Sequence, residues 1–413
     1  MFCLVGCVDK SRDIESSAQN SDSTYIVTDV QTDSSSDTFD RSVLMTNLVD
    51  NIFIPNYQST ALLAEAFSND SGSLASYCDA VGTAGEAAAL DAVKTGWLAV
   101  MDAVQKTEMH VLGPALRNDE ALQKRIHSYS TGTLASCALD QAVIESAGAT
   151  FDVSSRAFNQ RGMSAVEYLL FNSDLNHSCS SQVAATADWN NLNENDRKTQ
   201  RCELAQKLAN DITDASSDIY TQWVEGDNSY RAEFLLEEKL GENFQLITDG
   251  MFYLETFTKS QKLRLPLGLD DSCSSVTCPN LVESPYSESS LLNIETNTNE
   301  FLRIFNGGDG VGFDDLINAE EYAEITLRFQ SQLNDVSAKI KEISTPLVDQ
   351  VALVEADATE QVCINAFANP DQDSDISACS LAGLLKRVTD DLKIEFVTIV
   401  GVALPGRVQS DND

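Results

Sequence analysis

Histidine, proline and positive charge are all scarce in this chain, and each shortage excludes something. Only His110, His127 and His177 occur in 413 residues, and no HExxH is present. A zinc-peptidase helix bearing paired histidines therefore has nothing to build on. Gly162-Met163-Ser164-Ala165-Val166 lacks the second glycine of a nucleophile elbow, so a hydrolase serine is not indicated either. Lys and Arg total 27 against 64 Asp and Glu, a net charge of −37. A field of that sign repels phosphate backbones and anionic headgroups, which excludes nucleic acid as a partner. No run approaches the roughly 20 apolar residues that span a bilayer. Long stretches of alternating polarity are missing, and most of the eight prolines fall in turn-like contexts, including Pro114, Pro266, Pro279, Pro285, Pro370 and Pro405.

What remains is helical. Val93, Trp97, Val100, Met101, Val104 and Leu112 fall on one stripe, as do Leu204, Leu208, Ile212, Ala215, Ile219 and Trp223. Tyr322, Ile325, Phe329, Leu333, Val336 and Ile340 recur in steps of three and four, the spacing of a bundle seam. These patterns predict an all-α protein of two helix-bundle halves, 41–230 and 231–413, dividing where Glu225-Gly226-Asp227-Asn228 interrupts the periodicity. The cysteine- and proline-punctuated segment 262–290 is expected to be an ordered loop that contributes to a site.

Before the helices, Leu4-Val5-Gly6-Cys7 has the form of a bacterial lipobox, with Cys7 as the lipidation site and 1–7 as residual signal. Buried acyl methylenes, at about 0.8 kcal/mol each, would anchor the chain. Met1 to Gly6 has neither a basic region nor an apolar core, so either the true start lies upstream or the match is accidental. Residues 9–40 hold eight acidic and two basic side chains in a Ser, Thr and Asp background. That composition predicts a disordered acidic tether over 8–40, with a reach of roughly 30 Å. The eight later cysteines include no CxxC pair, which favours disulfides in an oxidising compartment over zinc. Pairing in sequence order gives Cys78–Cys137, Cys179–Cys202, Cys273–Cys278 and Cys363–Cys379.

The chemically unusual segment is Gly162-Met163-Ser164-Ala165-Val166-Glu167-Tyr168-Leu169-Leu170-Phe171. It is apolar almost all round, and Ser164 and Glu167, at i and i+3, share one side of it. A carboxylate there needs a cation, a donor or a proton, and Arg156, Arg161 and Arg264 are the expected ion-pair partners. His110, beside Glu108 at a helix end, is placed to act as a C-terminal cation and is the histidine to consider as a metal ligand with Glu167. His127, after Lys124-Arg125, and His177 are expected on the surface. Asp371-Gln372-Asp373-Ser374-Asp375 resembles the start of a calcium loop, but Ile376 and Ala382 occupy its required glycine and glutamate positions.

At Gly162-x-Ser164-x-x-Glu167 the chain resembles the imelysin-like family, also called peptidase M75, which includes insulin-cleaving outer-membrane lipoproteins. The family signature is GxHxxE, and Ser164 stands where it has histidine. Asn47 to Tyr57, Trp97, Glu108, Gly113-Pro114, Lys259, Lys262-Leu263, Pro266 to Leu269, Gly307-Gly308 and Leu404-Pro405 match further landmarks in order, as does Asp411 to Asp413. The resemblance implies two bundle-like halves, export to the cell envelope, and an association with iron or haem acquisition. The expected protein is lipid-anchored at the periplasmic face of the outer membrane, near a receptor or transporter, and binds rather than transforms. Its pocket is expected where Ser164 and Glu167 meet the 262–269 segment, with Lys262 or Arg264 as charge partner. Iron or another divalent metal is the conceivable cofactor, weakened by the loss of the imidazole. A metal-dependent peptidase and a non-catalytic envelope scaffold are the alternatives, and the oligomeric state is open.

Overall fold

The computed structural model describes residues 39–127, 129 and 132–409. The Cys7 motif, nearly all of the 8–40 tether and the Asp411 to Asp413 landmark lie outside the described residues. Every regular element among the described residues is helical. None of these helices is long and apolar enough to cross a membrane.

Helices α1 (Arg41–Leu48), α2 (Ile54–Ser68), α3 (Ser73–Ala80) and α4 (Glu86–Thr107) open the fold. They are followed by α5 (Arg117–Ile126), α6 (Ser136–Glu145), α7 (Gly162–Phe171) and α8 (Glu194–Val224). The 31 residues of α8 make it about 46 Å long. Asn193 caps it by accepting the Asp196 N–H at 2.9 Å. Its predicted stripe is buried throughout, from Leu204 to Trp223, against α2, α5 and α7. The interruption foreseen after Trp223 follows its end, and short α9 (Tyr230–Phe234) and α10 (Leu240–Met251) come next.

The chain continues as a wide-turned π-helix over Leu254–Arg264, in which Leu265 donates its N–H to the Ser260 carbonyl five residues back. Helices α11 (Ser290–Phe305), α12 (Phe313–Ala319), α13 (Ala323–Glu342), α14 (Leu347–Ala352), α15 (Glu360–Ala368), α16 (Ser377–Asp391) and α17 (Val397–Val400) follow it. Helix α13 packs on α16 and α11, and Ile325, Phe329, Leu333 and Val336 of its seam are buried. Tyr322, expected in that seam, precedes the helix and is exposed.

Two of the four expected disulfides form, Cys273–Cys278 and Cys363–Cys379. The other two are corrected: Cys78 joins Cys202 and Cys137 joins Cys179. The reason is packing. Helix α3 lies against α8, which carries Cys202, so proximity in space overrides proximity along the chain.

Candidate functional site

Helix α7 is held at its start by a glycine that nothing else can replace. Gly162 has φ +71°, and a Cβ there would lie 2.7 Å from the Ile126 carbonyl at the end of α5. At the next residue, the Trp97 indole of α4 donates to the Met163 carbonyl at 3.1 Å. These contacts fix the helix that carries Ser164 and Glu167, and both side chains line a cavity of about 510 Å³.

Glu167 is buried, but its partners are not the expected cations. Oε1 accepts the Tyr286 N–H at 3.0 Å, the Ser287 N–H at 2.7 Å and the Ser287 hydroxyl at 2.8 Å. Arg156 pairs instead with Glu145, Arg161 with Asp211, and Arg264 with Asp270 and the Leu269 carbonyl. Burial raises the Glu167 carboxyl to about 7, because desolvation outweighs the three hydrogen bonds that favour the charge. Since Oε1 is held as an acceptor three times over, the proton belongs on Oε2. At neutral pH this group therefore offers the cavity a mixture of acid and carboxylate.

The donors come from the turn Glu283-Ser284-Pro285-Tyr286-Ser287, which contains the left-handed Ser284 (φ 51°) and is followed by the left-handed Glu288 (φ 59°). This turn, rather than 262–269, forms the opposite wall of the cavity, and neither Lys262 nor Arg264 lines it. Tyr129, Ser136 and Asn280 add polar edges, and no cationic side chain lines the cavity among the described residues. Haem would bring two propionates against two carboxylates here, which disfavours it. A neutral or cationic ligand suits the walls better.

Behind the cavity lies a buried polar centre that the sequence did not disclose. Glu283, which lines the cavity, accepts from His127 Nε2 at 2.8 Å and from Asn293 Nδ2 at 3.0 Å. Lys262 Nζ reaches Glu108 at 2.7 Å, the Asn297 side-chain oxygen at 2.9 Å and Glu283 at 3.3 Å, and also bonds Gln105. Burial works against the Glu283 charge, but Lys262 and the donors from His127 and Asn293 outweigh it and hold the carboxyl well below its ordinary range. His127 is thus a core residue, not the surface residue its basic neighbours suggested. Glu108 and His127 also line a second cavity of about 160 Å³ on the far side of this centre.

Two residue sets need testing against a metal. Ser164 and Glu167 supply one hydroxyl and one carboxylate, too few donors of the right kind to retain a transition metal. Glu108, His127 and Glu283 bring three ligand atoms within 4.8 Å of one another. Lys262 already places its ammonium among them, so with that lysine charged the set does not fit a resident metal. His110 belongs to neither. It stacks on Phe53 with ring centroids 4.6 Å apart and meets the Asn56 amide at 2.9 Å. Burial first, then Arg303, lowers its pKa to about 3, so it is a neutral core imidazole and not a helix-end cation. His177 is half-buried in the loop before Cys179.

The turn that clamps Glu167 lies within the 262–290 segment expected to contribute to a site, but its role as the donor to Glu167 was not foreseen. Its signal in the sequence was modest: a single acid between Val282 and Ser284-Pro285, downstream of the Cys273–Cys278 loop.

The imelysin family, also designated peptidase M75, matches this chain over residues 54–373. No curated protein sequence matches it at a significant level. Among solved structures, an imelysin-like protein from Psychrobacter arcticum superposes with a TM-score of 0.63 at 15% identity, covering 88% of this chain and 96% of that one. A structure named as a candidate iron-regulated protein A precursor, from Parabacteroides distasonis, gives 0.59 at 16% identity, covering 85% and 95%. At these identities the likeness bears on the fold.

Proposed function

The chain belongs to the imelysin family, and on that premise we propose that it is a non-catalytic binding protein of the bacterial cell envelope, serving iron acquisition. The ligand is a small neutral or cationic molecule held in the Ser164/Glu167 cavity. The observation that carries this reading is Glu167 itself, a buried carboxyl whose Oε1 is fixed by three donors at the wall of a cavity of about 510 Å³. Such a group is pre-organised to recognise a ligand without spending energy on reorganisation. The name of the Parabacteroides structure supports the iron connection. Four disulfides favour an oxidising compartment, and Cys7 would supply the lipid anchor.

Native mass spectrometry of protein recovered from envelopes without chelator tests the binding role. A stoichiometric adduct of small mass is expected on the wild type and not on Glu167→Gln. Protein that carries no adduct, or an adduct indifferent to the substitution, defeats the reading. For the anchor, Cys7→Ser expressed with a working signal should move from the membrane to the soluble fraction.

A further inference from the structure

In a chain of net charge −37, one small cavity is lined by three cations. It has a volume of about 230 Å³ and lies between α4, the C-terminal end of α7 and the first turns of α8. Lys94, Lys198 and Arg201 face it, and Glu194 is the single acid in its lining. Leu90, Leu170 and Phe171 supply an apolar wall. It is separate from the Ser164/Glu167 cavity and shares no lining residue with it.

The cations differ in how they are compensated. Lys198 is neutralised by Glu86 at 2.6 Å and Glu194 at 2.5 Å. Lys94 has no carboxylate partner among the described residues and rests over the Phe171 ring, 5.1 Å from its centroid. Arg201 is the decisive group. Its residue is 2% exposed, yet its guanidinium meets only neutral partners: the Asn172 carbonyl at 3.1 Å, the Asp174 carbonyl at 3.0 Å and the Tyr168 ring at 5.3 Å. Nε has no hydrogen-bond partner among the described residues. The nearby Asp140 carboxylate is committed to the Tyr168 hydroxyl and to Ser178.

A buried guanidinium without a contacting counter-ion is costly, and surrounding acids are abundant enough in this chain that one would ordinarily be in contact. We propose that this cavity is a second binding site, and that it takes a small organic carboxylate: the anion pairs with Lys94 and Arg201 while its apolar body lies against Leu90, Leu170 and Phe171. Arg suits a carboxylate because its planar fork matches the two oxygens. The apolar wall argues for a ligand with a hydrocarbon or aromatic body over a bare inorganic anion, and the volume limits that body to about one ring. The inference stands independently of the ligand proposed at Glu167.

Isothermal titration calorimetry on the full chain tests it, with benzoate as the probe and benzyl alcohol and inorganic phosphate as controls. Saturable benzoate binding is expected, with benzyl alcohol and phosphate each at least about tenfold weaker, the worth of one charge-assisted hydrogen bond. Lys94→Met should weaken benzoate by about tenfold with an unchanged circular dichroism spectrum, and Lys94→Arg should restore most of the loss. Lys94 is the residue to change because Arg201 also ties down the Asn172 and Asp174 carbonyls and its removal threatens the fold. Glu167→Gln should leave benzoate binding as it was. Absence of saturable benzoate binding overturns the proposal. So do equal binding of benzyl alcohol, which would make the cavity merely apolar, and phosphate binding as tight as benzoate. Insensitivity to Lys94→Met overturns it as well.

Discussion

Ser287 donates both its backbone N–H, at 2.7 Å, and its hydroxyl, at 2.8 Å, to the same oxygen of Glu167, 120 residues earlier in the chain. One side chain thereby ties the middle of α7 to the loop that enters α11, and the wall of the cavity to its opposite wall. The tie persists whether or not Glu167 is ionised, because all of its donors meet Oε1.

Ionisation of Glu167 nevertheless costs stability. Burial raises its carboxyl from 4.5 to about 7. A group raised in this way contributes fully below pH 4.5 and loses that contribution as pH rises through 7, about 3 kcal/mol at most. Glu167→Gln keeps the acceptor and abolishes the titration. Urea unfolding at pH 5 and pH 8 should show the difference between wild type and variant moving in the variant's favour by that order. A difference that does not change with pH would place the charge elsewhere.

His110 works in the opposite sense. Its pKa falls from 6.5 to about 3 because burial, aided by Arg303, disfavours the imidazolium. Stability is fully present above pH 6.5 and declines as pH falls towards 3, by up to about 4 kcal/mol. The acid limb of a pH–stability curve should therefore be shallower in His110→Gln than in the wild type, with equilibrium denaturation at pH 7 and pH 4 as the measurement.

The helices were legible because burial imposes a period. The α8 stripe from Leu204 to Trp223 and the α13 seam from Ile325 to Ile340 are buried as their spacing requires. Ser164 and Glu167 were legible as a site because two polar groups in an apolar helix need an explanation. Their surroundings were not. Backbone N–H groups such as those of Tyr286 and Ser287 have no signature in a sequence, so an arginine was the natural but mistaken partner. His127 was masked by Lys124 and Arg125, whose charges are paired with Asp119 and Asp211 while Ile126 and His127 enter the core. Disulfide pairing failed where it depends on which helices pack: Cys273 and Cys278 are local, whereas Cys78 and Cys202 meet only through α3 on α8.

That long-range bridge should dominate the covalent contribution to stability. Cys78–Cys202 spans 124 residues and Cys273–Cys278 spans five. Chain-entropy arguments assign about 5 kcal/mol to the first closure and about 2 kcal/mol to the second. Cys78→Ser with Cys202→Ser should lower the thermal midpoint by more than twice as much as Cys273→Ser with Cys278→Ser. Equal losses in calorimetry would show that local strain or residual denatured structure governs instead.

Lys262 holds the buried centre together, and its removal should expose a latent property of that centre. The ammonium lies 2.7 Å from Glu108 and 3.3 Å from Glu283, with the pair otherwise sealed from water. Lys262→Met leaves two buried carboxylates facing each other, a loss of about 3–5 kcal/mol. It also leaves Glu108, His127 and Glu283 with their ligand atoms within 4.8 Å and no cation among them. Zinc prefers such a nitrogen and oxygen set. Added zinc should therefore raise the melting temperature of Lys262→Met while leaving the wild type unchanged, and Lys262→Met with His127→Ala should lose the response. Stabilisation of wild type and variant alike would mean that Lys262 does not occupy the cation position.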